Sequence, residues 1–316
     1  MIRLEDARIP RLTVASSQAE ERRLERLVKK GELVAPMRGM FVNADEWSRL
    51  SPLEQARRTI ATLSDKHPKW VFNLFSAAAI YSLEVGRDDL ATVHRLGPRR
   101  SRHLGQGPIV VHRGRTSNPV AVDGILVTPV LQTVVDCLCA LEFGRALAIA
   151  DSAQRVLGVT KPELEAELKT RENCVGWKVA RDAIAFSDPL SANGGESMAR
   201  AVMIEQGFMI PRLQVERRDP FNPNKTFYVD YYWNLGEAGE VIGELDGRDK
   251  YVLPDLTGGR DAVDVLRAER LRESRASGGR ARVMRFSFAD VMDERRLVQL
   301  MELYGIPRGP ARPIGK

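Results

Sequence analysis

Apolar and polar positions change period several times along this 316-residue chain, and each change predicts an element. From Ser17 to Lys30, Leu24, Leu27 and Val28 recur at helical intervals. The stretch opens with the capping-box spacing Ser17-x-x-Glu20 and stops at Gly31. Short extended pieces follow at 32–35 and 39–42, divided by a turn at 36–38. Ser51-Pro52 starts a helix running to 64, and the apolar run 70–83 reads as a buried helix. Strands are expected at 90–95, 109–112 and 122–127, the last turning at Asp123-Gly124, and helices at 131–141, 144–157, from Thr160, and at 175–186. The turn-rich segment 187–195 closes this part. Beyond it the pattern predicts a helix at 196–206, a strand at 213–216 and a Pro/Asn-rich loop at 219–225. A strand hairpin follows, then a polar helix at 259–276, a strand at 282–288 and a helix at 293–304.

The alternation is clearest in that hairpin. Phe227, Val229, Tyr231 and Trp233 alternate with Tyr228, Asp230 and Tyr232; on the return, Val241, Gly243 and Leu245 alternate with Ile242, Glu244 and Asp246. Residues 234–239 supply the turn chemistry between them. Folding about Glu237 sets Asp230 opposite Glu244, each seven residues from that centre. Aspartate is disfavoured in mid-strand, and three carboxylates (Asp230, Glu244 and Asp246) on one sheet face repel unless a cation or a shared proton relieves them. Hard oxygen donors of this kind select magnesium, manganese or calcium over zinc.

Together these elements describe a mixed α/β chain in three parts. Residues 1–85 pair a basic helix with a β-ribbon, the outline of a winged helix-turn-helix; 86–186 form a small α/β middle region; 187–306 run α-β-β-β-α-β with a trailing helix. The proline-containing basic tail 307–316 is expected to be disordered.

Charge adds to the first part. The net charge is +6 and the pI about 9.3, which suits a polyanionic partner. Arg22, Arg23, Arg26, Lys29 and Lys30 occupy much of the first helix and Arg38 lies in the ribbon turn, while Arg99, Arg100 and Arg102 crowd the loop between two strands. These nine are the candidate phosphate contacts, with a solvated charged helix and loop as the plain alternative. Cys137, Cys139 and Cys174 are too few and wrongly spaced for a disulfide framework, and read as buried apolar residues in a reducing compartment. Four histidines without ligand spacing argue against structural zinc. No apolar run is long enough to cross a membrane or to act as a signal peptide, so the expected location is cytoplasmic.

Around the hairpin, Glu196 sits at a helix start with Arg200 one turn on and poised to pair with it. Gln214 lies on the preceding strand, Lys250 just past the hairpin, and Glu269 and Arg285 farther on as supporting charges. The ordered set Glu196, Gln214, Val229-Asp230, Glu244-Leu-Asp-Gly247 with Lys250, and Arg285-Phe286 resembles the PD-(D/E)XK nuclease superfamily, most closely its very-short-patch-repair-like endonuclease branch, from residue 187 on. The resemblance implies a restriction-endonuclease-like fold, a central mixed sheet flanked by helices, and hydrolysis of DNA phosphodiesters with Mg2+ or Mn2+. It implies metal binding by Asp230 and Glu244, with Glu196 as the helical acidic residue. Asp246 stands where many members carry a lysine, which leaves Lys250 as a displaced substitute.

Separately, the outline ending Arg38-Gly-Met-Phe-Val42 and the run Val127-Thr-Pro-Val-Leu-Gln-Thr-Val-Val-Asp136 resemble AbiEi-type antitoxins. That likeness implies DNA binding, repression in a toxin–antitoxin or phage-defence setting, and a cognate toxin as partner. Three functions therefore stand side by side: a DNA endonuclease, a non-catalytic regulator that uses the same fold as a platform, and a protein-interaction module whose basic charge is incidental.

Overall fold

The structure is a computed structural model and describes residues 8–97, 108–113, 116, 118–172, 174–219, 222–246 and 281–310. It is a mixed α/β arrangement. Strand β1 (Thr13–Val14), helix α1 (Gln18–Lys29) and strands β2 (Leu33–Met37) and β3 (Met40–Asn43) come first, with the sheet ordered β1-β3-β2. Ser17 caps α1 by accepting from Glu20 N. The reciprocal half of the expected box shifts by one residue, because the Glu20 carboxylate accepts from Ser16 N, 2.8 Å. Helices α2 (Ala44–Arg49), α3 (Pro52–Lys66) and α4 (Leu74–Ile80) follow, and α3 has a complete Ser51/Glu54 capping box with Pro52 in its first turn.

The expected helix over 70–83 shrinks to α4. Phe72 N donates to Leu126 O (2.8 Å) and Thr128 N to Phe72 O (2.9 Å), so this stretch is pulled out as a bridge between strands. Strands β4 (Val93–Gly97) and β5 (Ile109–Arg113) pair in parallel, and the strand expected over 122–127 is instead two, β6 (Val120–Val122) and β7 (Ile125–Val127), paired antiparallel about the turn at Asp123-Gly124. A helical layer follows: α5 (Val130–Ala140), α6 (Phe143–Leu157), α7 (Lys161–Lys169) and α8 (Trp177–Phe186).

One cluster of buried side chains runs without a break from Ile9 to Ile204, so residue 85 marks no boundary in the core. Apolar residues of α3 and α4 on one side of that position and of α5 and α6 on the other bury one another, which two separate cores would not allow.

Helix α9 (Gly194–Glu205) is capped by Asn193 and leads to a four-stranded sheet: β8 (Arg212–Asp219), β9 (Asn222–Asn234), β10 (Glu240–Asp246) and β11 (Ala281–Ser287). The order is β11-β10-β9-β8, antiparallel except for the β10–β11 pair. Most of the expected Pro/Asn-rich loop is the start of β9, because the chain turns tightly enough to pair Asp219 with Asn222. Helices Phe288–Met292 and Glu294–Leu303 close the second core against α9. The tail does not come loose at Pro307. Met209 N donates to Pro307 O (2.9 Å), Gly309 N to Gly207 O (3.0 Å), and the Arg308 guanidinium lies 5.1 Å from the Phe208 ring centroid. Backbone pairing and a cation–π contact repay the ordering of 307–310.

Helix α9 belongs to both cores. Ala201 and Ile204 join the first cluster, whereas Ala199, Val202 and Met203 join the second. Arg200 points into the first as well, donating to Asp151 Oδ2 (2.6 Å) and Phe186 O (2.6 Å). The pairing of Arg200 with Glu196 one turn earlier is therefore not formed, since a fully buried Asp151 on α6 claims the guanidinium.

Candidate functional site

The hairpin register is the one the residue count predicts. β9 and β10 pair Ile242 with Tyr232 and Gly243 with Tyr231, so the next step sets Glu244 against Asp230. Here the ladder gives way to a side-chain bond, with Leu245 N donating to Asp230 Oδ2 at 3.0 Å. On the other side, Leu213 opposes Tyr231 and Val215 opposes Val229, which places Gln214 level with Asp230. In the parallel pair, Glu244 is level with Arg285. One transverse row thus crosses all four strands: Gln214, Asp230, Glu244, Arg285.

Side-chain parity gives the face used by Glu244 and Arg285. Tyr231, Trp233, Val241, Met284 and Phe286 belong to the core beneath α9, while Tyr232, Ile242 and Val283 pack on the other face. Glu244 and Arg285 share the parity of the second set, as does Asp246; at Asp230 the alternation breaks, because Val229 and Tyr232 both pack on the second face while Tyr231 between them packs beneath α9. Glu244 is buried and Asp230 half-buried. Asp246 is held by Arg285 at 2.9 Å. Gln214 has a positive φ of 47°, a left-handed conformation that costs a non-glycine residue roughly 1–2 kcal/mol, and such strain is concentrated at functional sites.

Glu196 lies on the opposite side, at the third position of α9. Its carboxylate accepts from Ala192 N (2.7 Å) and Asn193 Nδ2 (2.8 Å), and its backbone carbonyl from the Tyr231 hydroxyl (2.9 Å). An added Cβ at the preceding Gly195 would meet Leu245 Cδ2 at 3.3 Å, so the missing side chain lets the start of α9 rest on β10. The structure thus sets Gln214, Asp230, Glu244 and Arg285 level in one row and ties the Glu196 carboxylate to the loop that caps its own helix. Lys250 and Glu269 lie outside the described residues, as do Arg99, Arg100 and Arg102. Among the described residues, no group of three or more His, Cys, Asp or Glu side chains is gathered to hold a metal ion.

The second candidate surface is on α1. Arg22, Arg23, Arg26, Lys29 and Lys30 are all exposed. At 3.6 residues per turn they fall within an arc of about 120°, opposite Leu24, Leu27 and Val28. Arg38 is exposed in the β2–β3 turn, next to Gly39 at φ 71°. Among the described residues, no helix precedes α1.

Spacing alone missed two contacts. His94 and His112 are 18 residues apart, but the parallel β4–β5 pair brings His94 Nδ1 within 2.8 Å of His112 Nε2, with Thr92 Oγ1 3.0 Å from His94 Nε2. Burial, followed by the neighbouring imidazole, pushes His94 down to about 4; burial also lowers His112, against the pull of Asp136. Thr92 also lines a cavity of about 400 Å³ whose walls include Met37, Trp47, Phe75 and Leu90. The other contact joins Cys139 and Cys174, with their Sγ atoms 3.5 Å apart.

The fold and site thus define a mixed α/β protein with a polar row across a four-stranded sheet and a basic helical face. No family model matches the chain. It is 29% identical over 160 residues to Uncharacterized protein MT2308 of Mycobacterium tuberculosis (strain CDC 1551 / Oshkosh), and equally to Uncharacterized protein Rv2248 of strain ATCC 25618 / H37Rv. Each match covers 51% of this chain and 57% of the relative, so the chain spans just over half the length of these curated relatives. Among the described residues, no helix is long and apolar enough to cross a membrane.

Proposed function

We propose that this protein binds DNA through the α1 face and hydrolyses DNA phosphodiesters at the β9–β10 row as a metal-dependent endonuclease. On this reading α1 with β2–β3 is a winged-helix unit, and α9 with the four-stranded sheet is a restriction-endonuclease-like core. The single observation that supports it most is the row itself. Two carboxylates on adjacent strands, one of them buried, sit level with a strained glutamine and an arginine. Carboxylates on adjacent strands at one level are the kind of donor pair that a cation stabilises in its charged form.

The donor set fits magnesium or manganese. Asp230 and Glu244 offer hard oxygens, and magnesium is commonly held by one or two carboxylates with its other positions taken by water and phosphate. A cation held there would supply Lewis-acid polarisation of a phosphate and a more acidic bound water. The chain's own residues orient that site. Leu245 N fixes one oxygen of Asp230, Arg285 holds Asp246 aside, and Gln214 lies level with Asp230 as a hydrogen-bonding neighbour. The α1 cations add backbone affinity that falls with salt. The setting is cytoplasmic, in phage defence or a toxin–antitoxin pair.

One observation favours a second reading, a regulator or antitoxin that uses the sheet as a DNA or toxin platform without cutting. Asp246 is paired with Arg285, and the Glu196 carboxylate accepts from Ala192 N and Asn193 Nδ2 in the loop before its helix, so both are engaged within the fold. Incubation of the full chain with supercoiled plasmid and magnesium or manganese separates the two. Nicking that EDTA stops and Asp230→Ala removes, with DNA retention intact, supports the endonuclease. Bound but uncut DNA supports the regulator, and equal nicking by Asp230→Ala refutes this site.

A further inference from the structure

We propose that Cys139 and Cys174 form a reversible dithiol–disulfide site, oxidised by peroxide through Cys174. The pair is preassembled. Cys139 lies at the end of α5 and Cys174 in the turn between α7 and α8, and their Sγ atoms are 3.5 Å apart. A disulfide needs about 2.05 Å, so closing the gap takes a shift of ~1.5 Å. Two features hold the turn against α5. Gly176 has φ 78°, and a Cβ there would sit 1.9 Å from Cys139 O, so only glycine lets the strands of backbone touch. On the other side Arg171 bridges Asp136 and Glu167. The turn is anchored at both ends with the two sulfurs facing across it.

The two thiols have different environments. Burial and the contact with Cys174 push the Cys139 thiol up to about 12, which suits it to second place. Both thiols are half-buried, but Cys174 sits in the turn beside Val175, which is 92% exposed, whereas Cys139 sits within α5, so an oxidant is expected to reach Cys174 first. The chemistry balances in two steps. The Cys174 thiolate attacks one peroxide oxygen, the O–O bond breaks, hydroxide leaves and a sulfenic acid remains. Cys139 then attacks that sulfur, its thiol proton leaves with the hydroxyl as water, and the S–S bond forms. In sum, two thiols and one hydrogen peroxide give one disulfide and two waters. Cys137, one residue from Asp136 and fully buried, is an internal control. The site is independent of the DNA reading.

The test uses the full chain, treated with hydrogen peroxide, alkylated under denaturing conditions and peptide-mapped by mass spectrometry. The expected result is a cross-linked Cys139–Cys174 peptide, an alkylated Cys137, and return of both thiols on reduction. Cys139→Ser should halt at a Cys174 sulfenic acid that dimedone traps, and Cys174→Ser should leave Cys139 reduced. Wild-type protein in which both thiols remain free, or in which Cys137 forms the bridge, overturns the proposal, and this wild-type measurement decides even where a serine variant fails to fold.

Discussion

Arg200→Met tests whether the two cores are fastened at α9. The guanidinium is 3% exposed, and it donates to Asp151 Oδ2 and Phe186 O, both at 2.6 Å. Asp151 is fully buried, and its other oxygen accepts from Asp188 N at 2.7 Å. Methionine keeps the bulk of the stem but leaves that carboxylate without its counter-charge. Breaking a buried pair from one side costs about 3–5 kcal/mol, most of it the penalty of the stranded charge. Even with Arg200 present, burial holds the Asp151 carboxyl above its ordinary range, with Arg200 as the main opposing influence. Without Arg200 it rises further. A carboxyl that binds its proton more tightly when folded favours folding at low pH, and that favour fades as pH rises through the folded pKa. The deficit of the variant should therefore be largest at neutral pH and shrink toward about pH 4. Urea unfolding followed by circular dichroism and tryptophan fluorescence at several pH values measures it. Asp151→Leu combined with Arg200→Met should recover most of the loss. A deficit under about 1 kcal/mol, or one that widens on acidification, refutes the reasoning.

Three further outcomes are expected. Glu205 is raised to about 7 by burial and by Glu294 and Glu142, so native stability should fall as pH climbs from about 4.5 to 7; Glu205→Gln should flatten that slope by about 1–3 kcal/mol in urea titrations. Gly176→Ala forces a Cβ against Cys139 O at a left-handed φ and should cost about 2 kcal/mol or more, read as a lowered melting temperature. If the α1 face contacts phosphates, replacing Arg22, Arg26 and Lys29 with glutamine should make the slope of log K against log salt shallower by about 2–3, with little effect on stability. An unchanged slope removes α1 from the interface.

The legible parts of the fold were those that a local pattern decides. The Asp230–Glu244 register followed from counting outward from one turn, because a short hairpin leaves little freedom in pairing. The helix starts at Ser51 and Thr160 followed from a capping residue with proline in the first turn after it. What stayed hidden depended on chain distant in sequence. Phe72 reads as helix until the β6–β7 hairpin captures its backbone, and Arg200 has an obvious partner one turn away until Asp151, 49 residues earlier, arrives buried. The His94–His112 contact needs a parallel strand pair, whose register no turn announces. At the site, Gln214 could be chosen by its place in the order, but its left-handed backbone could not, since nothing in the residue type favours it.

Because α9 lends opposite faces to two cores, the sheet cannot be inherited or transplanted as a cassette beginning at residue 187. A recipient would have to offer a surface like that of α6, with small residues opposite Ala201 and an acid placed to receive Arg200. Recombination within this lineage should therefore preserve α6 and α9 as a matched pair, and chimeras joined between them should fail even when each half is taken from a stable parent.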